Sequence, residues 1–232
     1  MGPVVVAFPD CYSRLGGNQY INSGVIGRYE DYLIQEVLPF VEGHFACGGA
    51  GKRAVFGKSS GGYGAIMHGL RRADIALALP IAPLLSPLPG PVALDRAAAA
   101  LLRALPDRMV WWDPKARTYL AGPTHAYYRY SMHGIGEILR LGFAFADAAR
   151  LLDPAATRST FVLNDNDESL HNTLAERVLD RWKRRGVANA DTVHLGVELG
   201  LRHDFIDPDQ PYAQTDVAYP LVLDAIERGL AR

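Results

Sequence analysis

Cysteine is nearly absent: the 232 residues hold two, Cys11 and Cys47. They form no C-x-x-C pair and stand at no metal spacing from a histidine, so neither a zinc site nor a redox motif is indicated, and structural thiols are expected. An excess of either charge is also lacking. With 24 basic and 25 acidic side chains the net charge is -1, which leaves no basic stripe for a nucleic-acid surface. No apolar run free of charge and proline approaches the roughly 20 residues that span a bilayer. The opening residues Met1-Gly2-Pro3-Val4-Val5-Val6-Ala7-Phe8 have no basic start and only a short apolar stretch before Pro9-Asp10. They do not read as a signal peptide, and a cytoplasmic protein is expected. No internal repeat, low-complexity tract or linker divides the chain.

What is present is an ordinary soluble composition, 49% hydrophobic and 21% charged, at a length that suits one α/β domain over residues 1–232. Residues 4–8 are a β-branched run ended by Pro9-Asp10, the pattern of a strand buried on both faces of a parallel sheet. After a Gly/Asn/Ser-rich loop, Tyr29, Tyr32, Leu33, Val37 and Val41 recur at helical spacing, with a kink expected at Pro39. Strands are predicted over 53–56, 75–82, 160–163 and 192–197. Helices are predicted from Tyr63 to about Arg72, from Leu170 through Leu174, Val178 and Trp182 to a C-cap at Gly186, and over 217–230. Residues 83–157 break the alternation with Pro83, Pro87, Pro89 and Pro91, an Ala/Leu-rich helix over 97–105, and aromatic pairs at Trp111-Trp112 and Tyr127-Tyr128. Two readings stand for this segment: a helical cap over the carboxyl edge of the sheet, where ligands bind in open α/β folds, or plain structural packing.

The chemistry centres on Gly57-Lys58-Ser59-Ser60-Gly61, set between a predicted strand and a predicted helix. This is the G-x-S-x-G nucleophile elbow in the context that gives the motif meaning. The flanking glycines are expected because the serine sits on a strained, sharp turn where a neighbouring Cβ would collide with strand or helix. Ser59 is the candidate nucleophile. Ser60 is a poorer one, since its minus-two neighbour is the bulky Lys58. A phosphate loop, which Gly57-Lys58-Ser59 could also end, fails because Lys52 occupies the place of its first glycine.

In such folds the triad runs Ser, then Asp or Glu, then His, with the last two on loops after late strands. The loop after the predicted strand 160–163 reads Asn164-Asp165-Asn166-Asp167-Glu168. Asp167 is the candidate acid and Asp165 the second choice, against the reading that these acids only cap the next helix. Three histidines follow. His171 lies one helical turn from Asp167, too local to reach a serine on another strand. His194 falls inside a strand, where packing is its usual role. His203, in a loop after the strand, is the candidate base. The Ser60 backbone N–H, at a helix start, is a candidate oxyanion donor.

With these residues in place the chain resembles the putative esterase family of α/β-hydrolases, which includes esterase D, enterochelin-esterase-like hydrolases and mycolyltransferases. The resemblance covers the stretch from Phe8-Pro9-Asp10 through Arg28-Tyr29-Glu30-Asp31-Tyr32, the elbow Phe56-Gly57-Lys58-Ser59-Ser60-Gly61-Gly62-Tyr63-Gly64-Ala65, Asp167-Glu168 with Leu170-His171, and Gly200 to His203. It implies a mostly parallel sheet flanked by helices and serine-dependent cleavage of a small-molecule carboxylic ester, with acyl transfer as a variant and no metal or organic cofactor. Two departures follow. Residues 78–92 lack the Ser/Gly-rich character usual after the strand that follows the elbow. Three strands that normally precede residues 4–8 have no counterpart, nor has the His-Gly loop that supplies a second oxyanion N–H. An N-terminally truncated esterase is therefore expected, in which the strands at 4–8 and 53–56 pair directly or leave an open gap. The alternative function is a catalytically silent remnant that binds a ligand or partner.

Overall fold

The structure is a computed structural model that describes residues 4–10, 12–13, 16–17, 20–23, 27–85, 92–111 and 129–231. Cys11, Pro87, Pro89, Pro91, Trp112, Tyr127 and Tyr128 lie outside the described residues.

The main sheet holds four strands, β1 (Arg53–Lys58), β2 (Ile75–Ile81), β3 (Arg158–Asn164) and β4 (Ala190–Leu195), laid side by side in that order. Every pairing is parallel. The inner strands β2 and β3 are buried along almost their whole length, whereas β1 and β4 alternate between covered and wet positions. That difference is what uninterrupted apolar sequence in the middle and mixed sequence at the edges require.

Two glycines show that helices cover both faces. In β2, Leu77 and Ala78 point to opposite sides, as successive strand residues must. A Cβ at Gly69 of α2 (Gly62–Arg71) would strike the Ala78 side chain at 2.5 Å, and one at Gly229 of α6 (Thr215–Leu230) would strike Leu77 at 2.7 Å. Each helix therefore presses its backbone onto the strand, on opposite faces. Ser159 and Phe161 of β3 share the Ala78 face through the parallel register. There Phe161 packs with Phe145 of α4 (Met132–Ala148) and Trp182 of α5 (Thr173–Arg184), ring centroids 6.3 Å from Phe161 in each case. Of the 83–157 segment, α4 thus joins the layer that flanks the sheet, with α3 (Val92–Ala104) against it. The pair Met109–Trp111 and Arg129–Ser131 closes antiparallel between them.

Several predicted elements change on folding. Residues 4–8 carry no regular structure, and Val4, Val5, Val6 and Phe8 are exposed. Phe8 packs edge-to-face with Phe56 of β1, ring centroids 6.2 Å apart. A β-branched run becomes a strand only beside a partner, and among the described residues no strand lies along the outer edge of β1. Of the two outcomes foreseen for that edge, the direct pairing of residues 4–8 with β1 is not formed. At Pro39 the helix does not simply kink. Its turns run Tyr29–Asp31, then a π-helical stretch Tyr32–Val37, then α1 (Leu38–Phe45), with Leu38 N–H donating to the Leu33 carbonyl. Proline supplies no N–H and crowds the preceding turn, and the wider π register absorbs both effects. Gly186 does follow α5 at φ 79°, and Val187 N–H returns to Trp182 O at 3.0 Å to close the helix end.

Candidate active site

Ser59 leaves β1 at φ 55°, left-handed backbone that a residue with a Cβ adopts at a cost of about 1–2 kcal/mol. The surroundings hold it there. Leu84 N–H donates to Ser59 O at 3.2 Å, and the fully buried Tyr63 hydroxyl donates to Leu84 O, so the first turn of α2 and the residues after β2 grip the bend from two sides. Burial pushes the Tyr63 phenol far above its ordinary range and keeps it a donor.

The glycines of the elbow divide the steric burden differently from the expectation. A Cβ on Gly57 would lie 2.6 Å from the Gly61 carbonyl carbon, and one on Gly62 would lie 3.0 Å from Pro83 Cβ. At Gly61 nothing comes within 4 Å. The second tight position is therefore one residue later than the motif suggests, because Gly62 opens α2 directly against the chain leaving β2.

His203 reaches the serine from a loop beyond β4. Its Nε2 lies 2.9 Å from Ser59 Oγ, and its Nδ1 lies 2.7 Å from Asp167 Oδ2. The Asp167 side chain is 1% exposed and that of His203 14%. The other Asp167 oxygen accepts the N–H groups of Ser169 at 2.8 Å and Leu170 at 3.1 Å. The capping role weighed for this acid is thus real, but it fixes a turn, since α5 begins only at Thr173. Asp165 turns elsewhere and accepts His194 Nδ1 at 2.9 Å. Ser60 stands second in the Ser59–Gly61 turn, where backbone N–H groups have no helical acceptor.

Sequence reasoning assigned no role to the supports of the histidine. Glu168 Oε2 accepts the His203 backbone N–H at 3.0 Å, while its Oε1 accepts Arg202 Nε at 2.7 Å. The Arg202 guanidinium lies 4.1 Å above the Tyr212 ring. Asn164 and Asn166 donate to Leu201 O at 2.9 and 3.2 Å. The loop after β3 therefore carries both the candidate acid and the cradle of the candidate base, an arrangement that can take a proton from a hydroxyl and stabilise the resulting imidazolium. The one available signal was the acid pair Asp167-Glu168 standing opposite Arg202-His203. Among the described residues no three His, Cys, Asp or Glu side chains are grouped to hold a metal ion, and no helix is long and apolar enough to cross a membrane.

Comparison with known proteins agrees with this architecture. Residues 19–131, just under half of the chain, match the family described as putative esterase. No curated protein matches. Among solved structures, the monoacylglycerol lipase of Paleococcus ferrophilus superposes with TM-score 0.56 at 14% identity, covering 84% of this chain and 74% of the lipase. A soluble variant of monoglyceride lipase from Saccharomyces cerevisiae gives 0.52 at 14% identity, covering 75% of this chain and 63% of that one, less than two thirds of its length. The α/β hydrolase GrgF from Penicillium sp. sh18 gives 0.52 at 15% identity, covering 88% and 72%. The fold is that of the α/β-hydrolases, and the resemblance to the putative esterases extends through the elbow.

Proposed function

We propose that this chain is a serine hydrolase that cleaves a small-molecule carboxylic ester through an acyl-enzyme on Ser59. The observation that carries the reading is the unbroken relay from Asp167 Oδ2 to His203 Nδ1, 2.7 Å, and from His203 Nε2 to Ser59 Oγ, 2.9 Å, assembled beyond the ends of three strands of one sheet. His203 takes the Ser59 proton as Oγ bonds to the ester carbonyl carbon and the carbonyl electron pair moves onto oxygen. The Ser60 N–H stabilises that oxyanion. Collapse of the tetrahedral intermediate expels the alkoxide, which takes the proton from Nε2 and leaves the acyl group on Ser59. Water repeats the sequence: His203 removes its proton, the hydroxide oxygen bonds to the acyl carbon, and Ser59 leaves with the proton returned. Asp167 keeps the proton of the resting ring on Nδ1 and stabilises the imidazolium.

A fluorophosphonate probe tests this. Labelling of the wild-type chain that disappears in Ser59→Ala is the expected result. The outer edge of β1, which pairs with no strand among the described residues, favours a second reading, a ligand-binding protein without turnover, because the loop that supplies a second oxyanion donor in the family belongs beside that edge. Well-folded protein that takes up no probe would favour that reading over the hydrolase.

A further inference from the structure

We propose that Lys58 and Asp204 form a positioning clasp that sets the reach between nucleophile and base, an inference that rests on the serine-hydrolase reading of the site. Lys58 immediately precedes Ser59 and Asp204 immediately follows His203, and the two side chains form an ion pair across 146 residues of sequence. The Lys58 side chain is 14% exposed and that of Asp204 52%. Burial pushes the Asp204 carboxyl up, but the charge and hydrogen bond of Lys58, with His203 and Arg202 nearby, outweigh it and hold it below its ordinary value. Asp204 is therefore ionised at neutral pH.

Apart from Ser59 Oγ on Nε2, four side chains that hold His203 and its loop come from one side. Asp167 holds its ring, Glu168 its backbone N–H, and Asn164 and Asn166 the carbonyl of Leu201, every one of them on the segment leaving β3. They fix the histidine relative to the end of β3, which reaches β1 only through β2. Lys58, the last residue of β1, adds a direct charged tie between the elbow and the residue after His203. A displacement of about 1 Å between reacting groups costs on the order of a hundredfold in rate.

The pair is also electrically balanced beside the imidazole. The groups around His203 are Asp167 on its ring and Glu168 on its backbone N–H from the loop after β3, Ser59 Oγ on Nε2, and Arg202 and Asp204 on its own loop, with Lys58 paired to Asp204 and Tyr212 stacked on Arg202. Neutralising Lys58 leaves the Asp204 carboxylate uncompensated, which favours the imidazolium and delays the active neutral base to higher pH. Neutralising Asp204 leaves the ammonium, with the opposite effect.

The test is the rate of fluorophosphonate labelling of the full chain across about pH 5 to 9, where a histidine base titrates, for wild type, Lys58→Gln, Asp204→Asn and the double variant. Both single variants are expected to label roughly ten- to a hundredfold more slowly at the plateau, with the acid limb moved up in Lys58→Gln and down in Asp204→Asn. The double variant keeps the slow rate but returns the limb to its wild-type position, and Lys58→Arg restores both. General destabilisation lowers amplitudes and cannot move the two limbs in opposite directions. Limbs that stay in place while the wild type labels overturn the clasp alone. A wild type that does not label overturns the hydrolase reading and the clasp with it.

Discussion

Replacing Asp167 by asparagine separates chemistry from folding at this site. Asp167 Oδ1 accepts two backbone N–H groups, from Ser169 and Leu170, while Oδ2 faces His203 Nδ1 at 2.7 Å. In Asp167→Asn the side-chain amide must keep its oxygen toward the two N–H donors, because turning its NH2 toward them would set donor against donor in a site that is 1% exposed. The NH2 then faces His203 Nδ1, which has to become the acceptor. The ring proton moves to Nε2, where it points at Ser59 Oγ, and the base can no longer receive the serine proton. In serine proteases the equivalent tautomer error lowers kcat by about 10⁴, or about 5 kcal/mol in the barrier. The same loss in kcat/KM is expected on a nitrophenyl ester, with a thermal midpoint close to that of the wild type. Asp167→Ala instead strands both N–H groups and costs about 1–3 kcal/mol of stability in addition. An asparagine variant within tenfold of wild-type kcat/KM would refute the relay.

The elbow glycines give a second test: Gly57→Ala and Gly62→Ala lower the urea midpoint and the labelling rate, whereas Gly61→Ala, with open space around it, costs no more than about 1 kcal/mol. Tyr63→Phe leaves the Leu84 carbonyl without its buried partner and destabilises by about 1–3 kcal/mol in urea titration, with labelling of Ser59 slowed as its bend loosens. Acid sensitivity is expected at Glu42, whose carboxyl is held down to about 2 from an ordinary 4.5 by hydrogen bonds from Arg53 and the Gly49 N–H and by the Arg53 charge. A depressed carboxyl contributes stability above its unfolded value and loses it as pH falls through the folded one. The stability gap between wild type and Glu42→Gln is therefore full at pH 5 and closes toward about pH 2, measured by urea midpoints.

Where the sequence was legible, the signal was local and steric. The elbow between a strand and a helix and the buried strands β2 and β3 declare themselves within a few residues. The edge strands were harder. Residues 4–8 have the composition of an inner strand, yet a strand is made by its neighbour, and none runs along the outer edge of β1 among the described residues. The helix around Pro39 carries the right periodicity, but the π register depends on how the wider turn absorbs the missing donor. Gly61 fits the motif while Gly62 carries the contact with Pro83, a neighbour that only the return of the chain from β2 provides. The same holds for Glu168 under His203, Tyr63 and Leu84 behind Ser59, and Lys58 on Asp204, because each joins segments whose separation along the chain hides the partnership.

The most direct test of the central claim is to quench the chain during turnover of a nitrophenyl ester and weigh the Ser59 peptide. Covalent catalysis predicts an increment equal to the acyl group on Ser59, formed with a burst of nitrophenolate and absent from Ser59→Ala and His203→Ala. Steady ester cleavage that leaves that peptide unmodified and survives Ser59→Ala would contradict it.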